Sequence, residues 1–121
     1  MSKSKLPIYV DGVFHLYRIS NTNDLYPKQI LIDMHMDICY QELSVFDKLK
    51  YELSSVGAEI TGKLRIPQYK HITSDCVLKI GDIYHRVFNA AHFTNNEGYK
   101  QTDITLEEWK GTTEVADDKQ E

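Results

Sequence analysis

The clearest pattern in the chain is an alternation of apolar and polar residues between Lys28 and Gln41. Only Leu31 and Cys39 interrupt the polar positions of this stretch. Period-2 alternation of this length is typical of a strand with one buried and one solvated face, as found in antiparallel sheets. We therefore predict a long strand over 28–41. Its apolar positions are Ile30, Ile32, Met34, Met36, Ile38 and Tyr40.

Shorter stretches of similar composition predict five more strands, separated by turn residues. Gly81 and Asp82 suit a tight hairpin, and Asn95 to Gly98 form a second turn. Pro67 should end the strand before it, because proline has no N–H to donate to a sheet. The first of these strands has no clean period. The five predicted ranges are 13–19, 58–66, 76–80, 83–93 and 99–109.

One segment, Ser44 to Val56, follows a helical period instead. Its apolar residues recur every three or four positions, which is the spacing of one helix face. Asp47 lies three residues after Ser44, as in a capping box, and Gly57 suits the end of a helix. We predict one short helix inserted between two strands. The apolar positions are Phe46, Leu49, Leu53 and Val56.

These elements together predict a mainly β fold, a small antiparallel β-barrel of five to six strands with one short inserted helix. The chain has 121 residues, which suits one domain. We divide it into an N-terminal extension at 1–12, the barrel at 13–110 and a loose acidic tail at 111–121. The tail has too few apolar residues to offset the entropy of ordering it.

Net charge is −4, from 14 basic and 18 acidic residues, and it is unevenly distributed. The tail carries four acids and one lysine, so residues 1–110 have 13 basic and 14 acidic groups. A nearly neutral body argues against a main role in holding nucleic-acid phosphates. No apolar run reaches the length of a membrane span, and no hydrophobic signal region follows Met1. We expect neither export nor membrane insertion.

Candidate chemistry is sparse. Asp33, His35 and Asp37 alternate on the polar face of the long strand, where they could bind a metal or share a proton, although a solvated strand face is the simpler interpretation. Cys39 and Cys76 lack metal or redox spacing, so we expect two buried free thiols. No nucleotide-binding, metalloprotease or hydrolase motif occurs. We therefore predict no catalytic residue, no metal and no cofactor.

Two binding functions remain. Eight tyrosines on a small barrel are compatible with a module that binds single-stranded nucleic acid, although the neutral body weakens this alternative. Tyrosine, phenylalanine, methionine and arginine are also enriched where protein copies meet, and open strand edges can pair with a neighbour. A protein whose function is contact with other protein copies requires none of the motifs that the sequence lacks.

Three runs of residues resemble the head–tail joining family, the head-closure or stopper proteins of long-tailed phages. The resemblance covers 28–109. In this family a strand leads to a short segment around an acidic residue, then to a strand ending in a basic residue, a polar loop, and a hairpin with glycine before the returning strand. The chain departs from the pattern before Val13, at Pro67 and in its acidic tail. The matching runs are 41–53, 56–67 and 75–87.

The resemblance implies a virion protein at the head–tail interface, assembled in the bacterial host cytoplasm. It would dock as a dodecameric ring of its own copies beneath the portal or adaptor, meet a tail or tail-terminator protein below, and close the channel around packaged DNA. By position, the channel-facing plug would be Ser44–Gly57, and the 68–75 loop would contact a neighbouring copy in the ring or a partner protein. The plug residues are Ser44, Asp47, Lys48, Lys50 and Glu52, and the contact residues are Gln68, Tyr69, Lys70 and His71.

A ring multiplies each charge, so Asp47 and Glu52 would form an acidic band that repels DNA if they face the channel. We expect a monomer or weak oligomer in solution that forms its ring only on the connector. Adaptor and tail-terminator roles are alternatives within the same connector.

Overall fold

The computed structural model of the chain describes residues 8–43 and 60–116. This part of the chain contains seven strands and no helix. The strands are β1 (Gly12–Asn21), β2 (Gln29–Leu43), β3 (Ile60–Pro67), β4 (Cys76–Ile80), β5 (Ile83–Thr94), β6 (Lys100–Glu108) and β7 (Val115–Ala116). The helix predicted over 44–56 lies outside the described residues. No described helix is long and apolar enough to cross a membrane.

Six of the strands close into a ring. The order is β1-β4-β5-β6-β3-β2, and a pairing between β1 and β2 joins the two ends. Every neighbouring pair in this ring is antiparallel. The prediction of a mainly β fold with antiparallel strands is therefore confirmed. The predicted strand positions are also confirmed, with shifts of one or two residues at most ends.

The main core fills the inside of this ring. Each strand from β1 to β6 contributes at least one buried side chain, and Ile72 adds one from the loop between β3 and β4. Met34, Met36 and Ile38 of β2 pack against this core from one face, as their alternation predicts. The buried members are Phe14, Leu16, Tyr40, Leu64, Ile66, Ile72, Cys76, Leu78, Val87, Ile104 and Leu106.

A second, smaller core lies on the outer face of β1, β2 and β4. It contains Tyr17, Leu31 and Val77, with Trp109 packed against them. Leu31 is fully buried there, although the alternation placed it on the solvated face of the long strand. That part of the prediction is wrong, because another piece of the chain covers the outer face at this point. The two cores also explain why β1 has no clean period.

The covering piece is residues 109–116, which we call the C-terminal strap. Trp109 Nε1 donates to the Thr112 carbonyl at 2.8 Å, and Leu31 N donates to the Glu114 carbonyl at 2.9 Å. Strand β7 then pairs in parallel with β2 at Leu31 and Ile32. Residues 111–116 of the predicted loose tail therefore lie against the ring of strands, next to β2. Residues 117–121 are outside the described range.

Turns and strand ends follow the predicted chemistry. Gly81 has φ of 62°, which suits glycine in the hairpin that joins β4 to β5. Asn95 Oδ1 accepts hydrogen bonds from the backbone N–H groups of Glu97 and Tyr99, both at 2.9 Å, and closes the second turn. Pro67 is the last residue of β3, as predicted.

The two cysteines differ in exposure. Cys76 is buried in the main core as predicted, and burial raises the pKa of its thiol. Cys39 is exposed, so its predicted burial is wrong. Cys39 is opposite Val13 in the pairing of β1 with β2, on the part of the outer face that the strap does not cover. Val13 is 51% exposed. Both thiols are free.

Truncating the main core should destabilise the fold far more than truncating its surface. Ile104 is fully buried, so Ile104→Ala should lower the free energy of unfolding by about 2–5 kcal/mol through lost burial and a cavity. The same truncation at Ile83, which is 63% exposed, should cost less than about 0.5 kcal/mol. Urea unfolding followed by circular dichroism measures both, and equal costs would contradict a core inside the ring.

Candidate functional site

A histidine between two carboxylates is the main polar cluster on the described surface. His15 Nδ1 lies 2.6 Å from Asp37 Oδ1, and His15 Nε2 lies 2.5 Å from Asp33 Oδ1. The backbone places these groups, because His15 is directly opposite Asp37 in the pairing of β1 with β2. We call these three residues the Asp-His-Asp cluster.

A bulge in β2 brings the second carboxylate into the cluster. His15 pairs with Asp37 but Tyr17 pairs with Asp33, so β2 uses two residues more than β1 over the same length. His35 lies within the bulge and has φ of 56°, which is rare for a residue other than glycine. Its backbone N–H donates to Asp33 Oδ1 at 2.7 Å and holds that carboxylate in place.

Two of the three residues of this cluster, Asp33 and Asp37, were predicted candidates. The structure brings Asp33 and Asp37 together, but they converge on His15 of the neighbouring strand, which was not predicted to take part. His35 is more distant, with Nδ1 3.8 Å from Asp33 Oδ1. Among the described residues no group of His, Cys, Asp and Glu is arranged to hold a metal ion.

The charged form of His15 fits this geometry. Only an imidazolium has an N–H on both ring nitrogens, so only this form donates to both carboxylates. Partial burial lowers the pKa of His15. The hydrogen bonds to Asp37 and Asp33 and the negative charges of these carboxylates together raise it by more than burial lowers it, so the net shift is upward from 6.5. Burial likewise raises the pKa of Asp33, but the His35 N–H and His15 lower it more, to below 3.8.

The cluster adjoins the second core. The His15 and Tyr17 rings meet edge to face with centroids 5.0 Å apart. Tyr17 in turn lies 5.7 Å from the ring of Tyr84. Burial, Tyr84 and Asp33 raise the pKa of Tyr17. The proton on His15 is therefore held beside the face that the C-terminal strap covers.

The predicted contact loop is anchored at its base and exposed at its tip. Gln68 Nε2 donates to the Phe93 carbonyl at 3.2 Å, and Tyr69 N donates to Thr102 Oγ1 at 3.1 Å. Lys70 and His71 are exposed, whereas the next residue, Ile72, is 1% exposed and packs in the main core. The loop therefore presents its tip on a fixed base.

A cavity of about 290 Å³ adjoins this loop. Its lining combines loop residues with side chains from β1, β2 and β4. The loop and β1 thus enclose a partly apolar recess with a basic residue, Arg18, in its wall. The lining residues are Leu16, Arg18, Met34, Tyr69, His71 and Cys76.

The predicted plug residues lie outside the described residues. These are Ser44, Asp47, Lys48, Lys50 and Glu52. The structure describes the two strand ends that flank them, Leu43 of β2 and Ile60 of β3. Their predicted position at the channel stays a prediction.

A larger cavity of about 520 Å³ lies at these strand ends and is lined by residues including Leu43, Thr61 and His85. His85 Nδ1 lies 2.9 Å from Thr61 Oγ1, and burial lowers the pKa of His85 below 6.5. Burial therefore favours the neutral form of the His85 side chain. His92 bonds a different partner, Thr102 Oγ1, at 2.7 Å, so the two histidines serve separate contacts.

Two arginines, Arg65 of β3 and Arg86 of β5, have hydrogen-bond partners. Arg65 makes two hydrogen bonds to Asp103, from Nε at 2.7 Å and from a terminal nitrogen at 2.9 Å. Its guanidinium also lies 5.3 Å from the centre of the Phe93 ring. Arg86 Nε donates to the Ser74 carbonyl at 3.1 Å. These contacts use the donors that a phosphate backbone would need, which weakens the nucleic-acid interpretation.

A scan of the chain against protein-family models gives no match, and a search of the curated proteins gives none.

Replacing His15 should make stability depend less on pH. Its pKa is raised in the fold, so its stabilisation is present below 6.5 and is lost as pH rises through the higher folded value. The lowered pKa of Asp33 adds stability above 3.8 that is lost as pH falls. His15→Gln should therefore lower the free energy of unfolding most between these pH values, by about 1–3 kcal/mol.

Urea unfolding across this pH range measures the effect. His71→Gln is the matched control, since His71 is exposed in the contact loop and should leave the pH dependence unchanged. A wild-type stability curve that keeps its shape in His15→Gln would contradict the charged cluster.

Proposed function

We propose that this protein is a structural component of the head–tail connector of a long-tailed phage. It docks as a ring of identical copies beneath the portal or adaptor, closes the DNA exit channel and joins the head to the tail. The observation that carries the proposal is the ring of six antiparallel strands, formed in the chain order that the resemblance implies. This scaffold presents loops and strand edges for contacts with other proteins.

The charge distribution is compatible with a channel protein. Residues 1–110 are nearly neutral, and Arg65 is paired with Asp103. A connector must let DNA pass without holding it, so a surface with no large excess of positive charge suits this function. Within the proposed ring, Asp47 and Glu52 supply the acidic band of the plug.

The contact loop is the proposed docking surface for the portal, adaptor or tail. Hydrogen bonds of Gln68 and Tyr69 fix the base of the loop. Binding of a partner to Lys70 and His71 therefore costs the loop little conformational entropy. The adjoining recess of about 290 Å³ offers space for one apolar side chain of that partner.

Deleting the gene from its phage should yield tails separated from heads, together with capsids that package DNA and then leak it. Electron microscopy of the particles, with DNA measured inside and outside capsids, checks both parts. A plasmid copy of the gene is the control and should restore joined particles.

Intact infectious particles after deletion would overturn the connector function. Affinity of the purified chain for single-stranded nucleic acid that falls steeply with salt would then favour the alternative barrel function.

Reversing the charge of the contact loop should impair docking without unfolding the protein. Both Lys70 and His71 are exposed, so Lys70→Glu with His71→Glu should change the free energy of unfolding by less than about 1 kcal/mol. Incorporation into particles, measured by quantitative immunoblotting, should fall several-fold. Asp24→Lys, a charge reversal at an exposed position of the β1–β2 connection, is the control, and an equal loss there would contradict a specific role for the loop.

A further inference from the structure

One edge of β2 lacks a partner strand along part of its length. Leu31 and Ile32 pair with both β1 and β7, so these two strands lie on opposite edges of β2. From Gln41 onward β2 pairs with β3. Among the described residues, no strand pairs with the stretch from Met36 to Tyr40 on the edge away from β1. We call this stretch the β2 edge.

A second open edge occurs on β5. Arg86 pairs with Val77 of β4 and with Glu107 of β6, so β4 and β6 lie on opposite edges of β5. Strand β4 ends its pairing there, whereas β6 continues along β5 to Thr94. In the part of the chain that the structure describes, Val87 to Thr94 therefore has no strand on the β4 side. We call this stretch the β5 edge.

The β2 edge and the β5 edge lie on opposite sides of the ring of six strands. The order β1-β4-β5-β6-β3-β2 places two strands between β5 and β2 in either direction. Because every neighbouring pair is antiparallel, β2 and β5 run in opposite directions. A second copy that is rotated about an axis along the strands would therefore bring its β5 antiparallel to β2 of the first. Repetition of this contact generates a closed ring when the rotation closes.

The sequences of the edges favour such a contact. Isolated edge strands are commonly protected from pairing by lysine or proline, and neither residue occurs in the two edges. Strand β2 carries Asp33, Asp37 and Glu42 with no lysine or arginine, whereas β5 carries Arg86 and no acid. Within the edges themselves, Asp37 of the β2 edge is an acid, and the β5 edge has no acid to repel it. Two β2 edges would bring identical acidic strands together, which opposes a symmetric dimer.

We propose that copies of this chain join head to tail by antiparallel pairing of the β2 edge of one copy with the β5 edge of the next. The proposal rests on the proposed function, in which copies of the chain form an oligomeric ring, and it adds the surface by which neighbouring copies meet. The β2 edge is only five residues long, so the contact is weak between free copies. Docking on a common partner raises the local concentration of copies and drives the pairing.

Cysteine crosslinking of the purified full chain tests this pairing. Native Cys39 is exposed on the β2 edge, and Cys76 is buried. Ala91 is exposed on the β5 edge, so Ala91→Cys places one reactive thiol on each edge. A short bismaleimide traps transient contacts irreversibly. Asp82→Cys is the matched control, because it places an exposed thiol in the β4–β5 turn.

The expected result is a ladder of dimers, trimers and longer chains with Ala91→Cys, in several-fold greater yield than with Asp82→Cys. Asn89→Cys, at another exposed position of the β5 edge, should give the same ladder if Ala91→Cys folds poorly. Equal yields with the turn control would overturn the proposal. Products that stop at dimers, in the wild type as well, would overturn it in favour of a symmetric contact through Cys39.

This outcome is separable from the connector function. A ladder combined with normal particles after gene deletion would keep the edge pairing and overturn the connector function. Separated heads and tails with no ladder would keep the connector function and overturn the edge pairing.

Discussion

The pairing of β1 with β2 is the contact on which the rest of the structure depends. It extends from Gly12 opposite Tyr40 to Asn21 opposite Gln29, and it joins the two ends of the strand order into a ring. Without it, the sheet would be open between β1 and β2, and the side chains inside the ring would face solvent. The main core, the Asp-His-Asp cluster and the second core all have residues on these two strands.

This pairing is also where charge and backbone geometry are coupled. The bulge at His35 lets Asp33 reach His15 while Met34 and Met36 still pack against the main core. A regular strand would place Asp33 two residues further from His15. The protonated histidine thus bridges the two halves of an irregular ladder, and it neutralises carboxylates that would otherwise repel each other across the bulge.

Much of the fold follows from local patterns in the sequence. Alternation located β2, Gly81 and Asp82 located the β4–β5 hairpin, and Pro67 located the end of β3. Local patterns do not report what covers a strand from outside. Leu31 is buried by a strap about eighty residues later in the chain, and Cys39 is exposed beyond that strap. The candidate site was found in part for the same reason, since Asp33 and Asp37 share a strand but His15 reaches them only through strand pairing and a bulge.

Ring closure has a kinetic consequence. Strand β1 must find β4, about sixty residues away in sequence, and β2 must find β3 across the long connection between them. Contacts of such high sequence separation slow the folding of small β proteins. During that interval the apolar strands and their edges are exposed to other chains. The speed with which newly made chains close the ring of six strands would therefore limit how many of them escape aggregation.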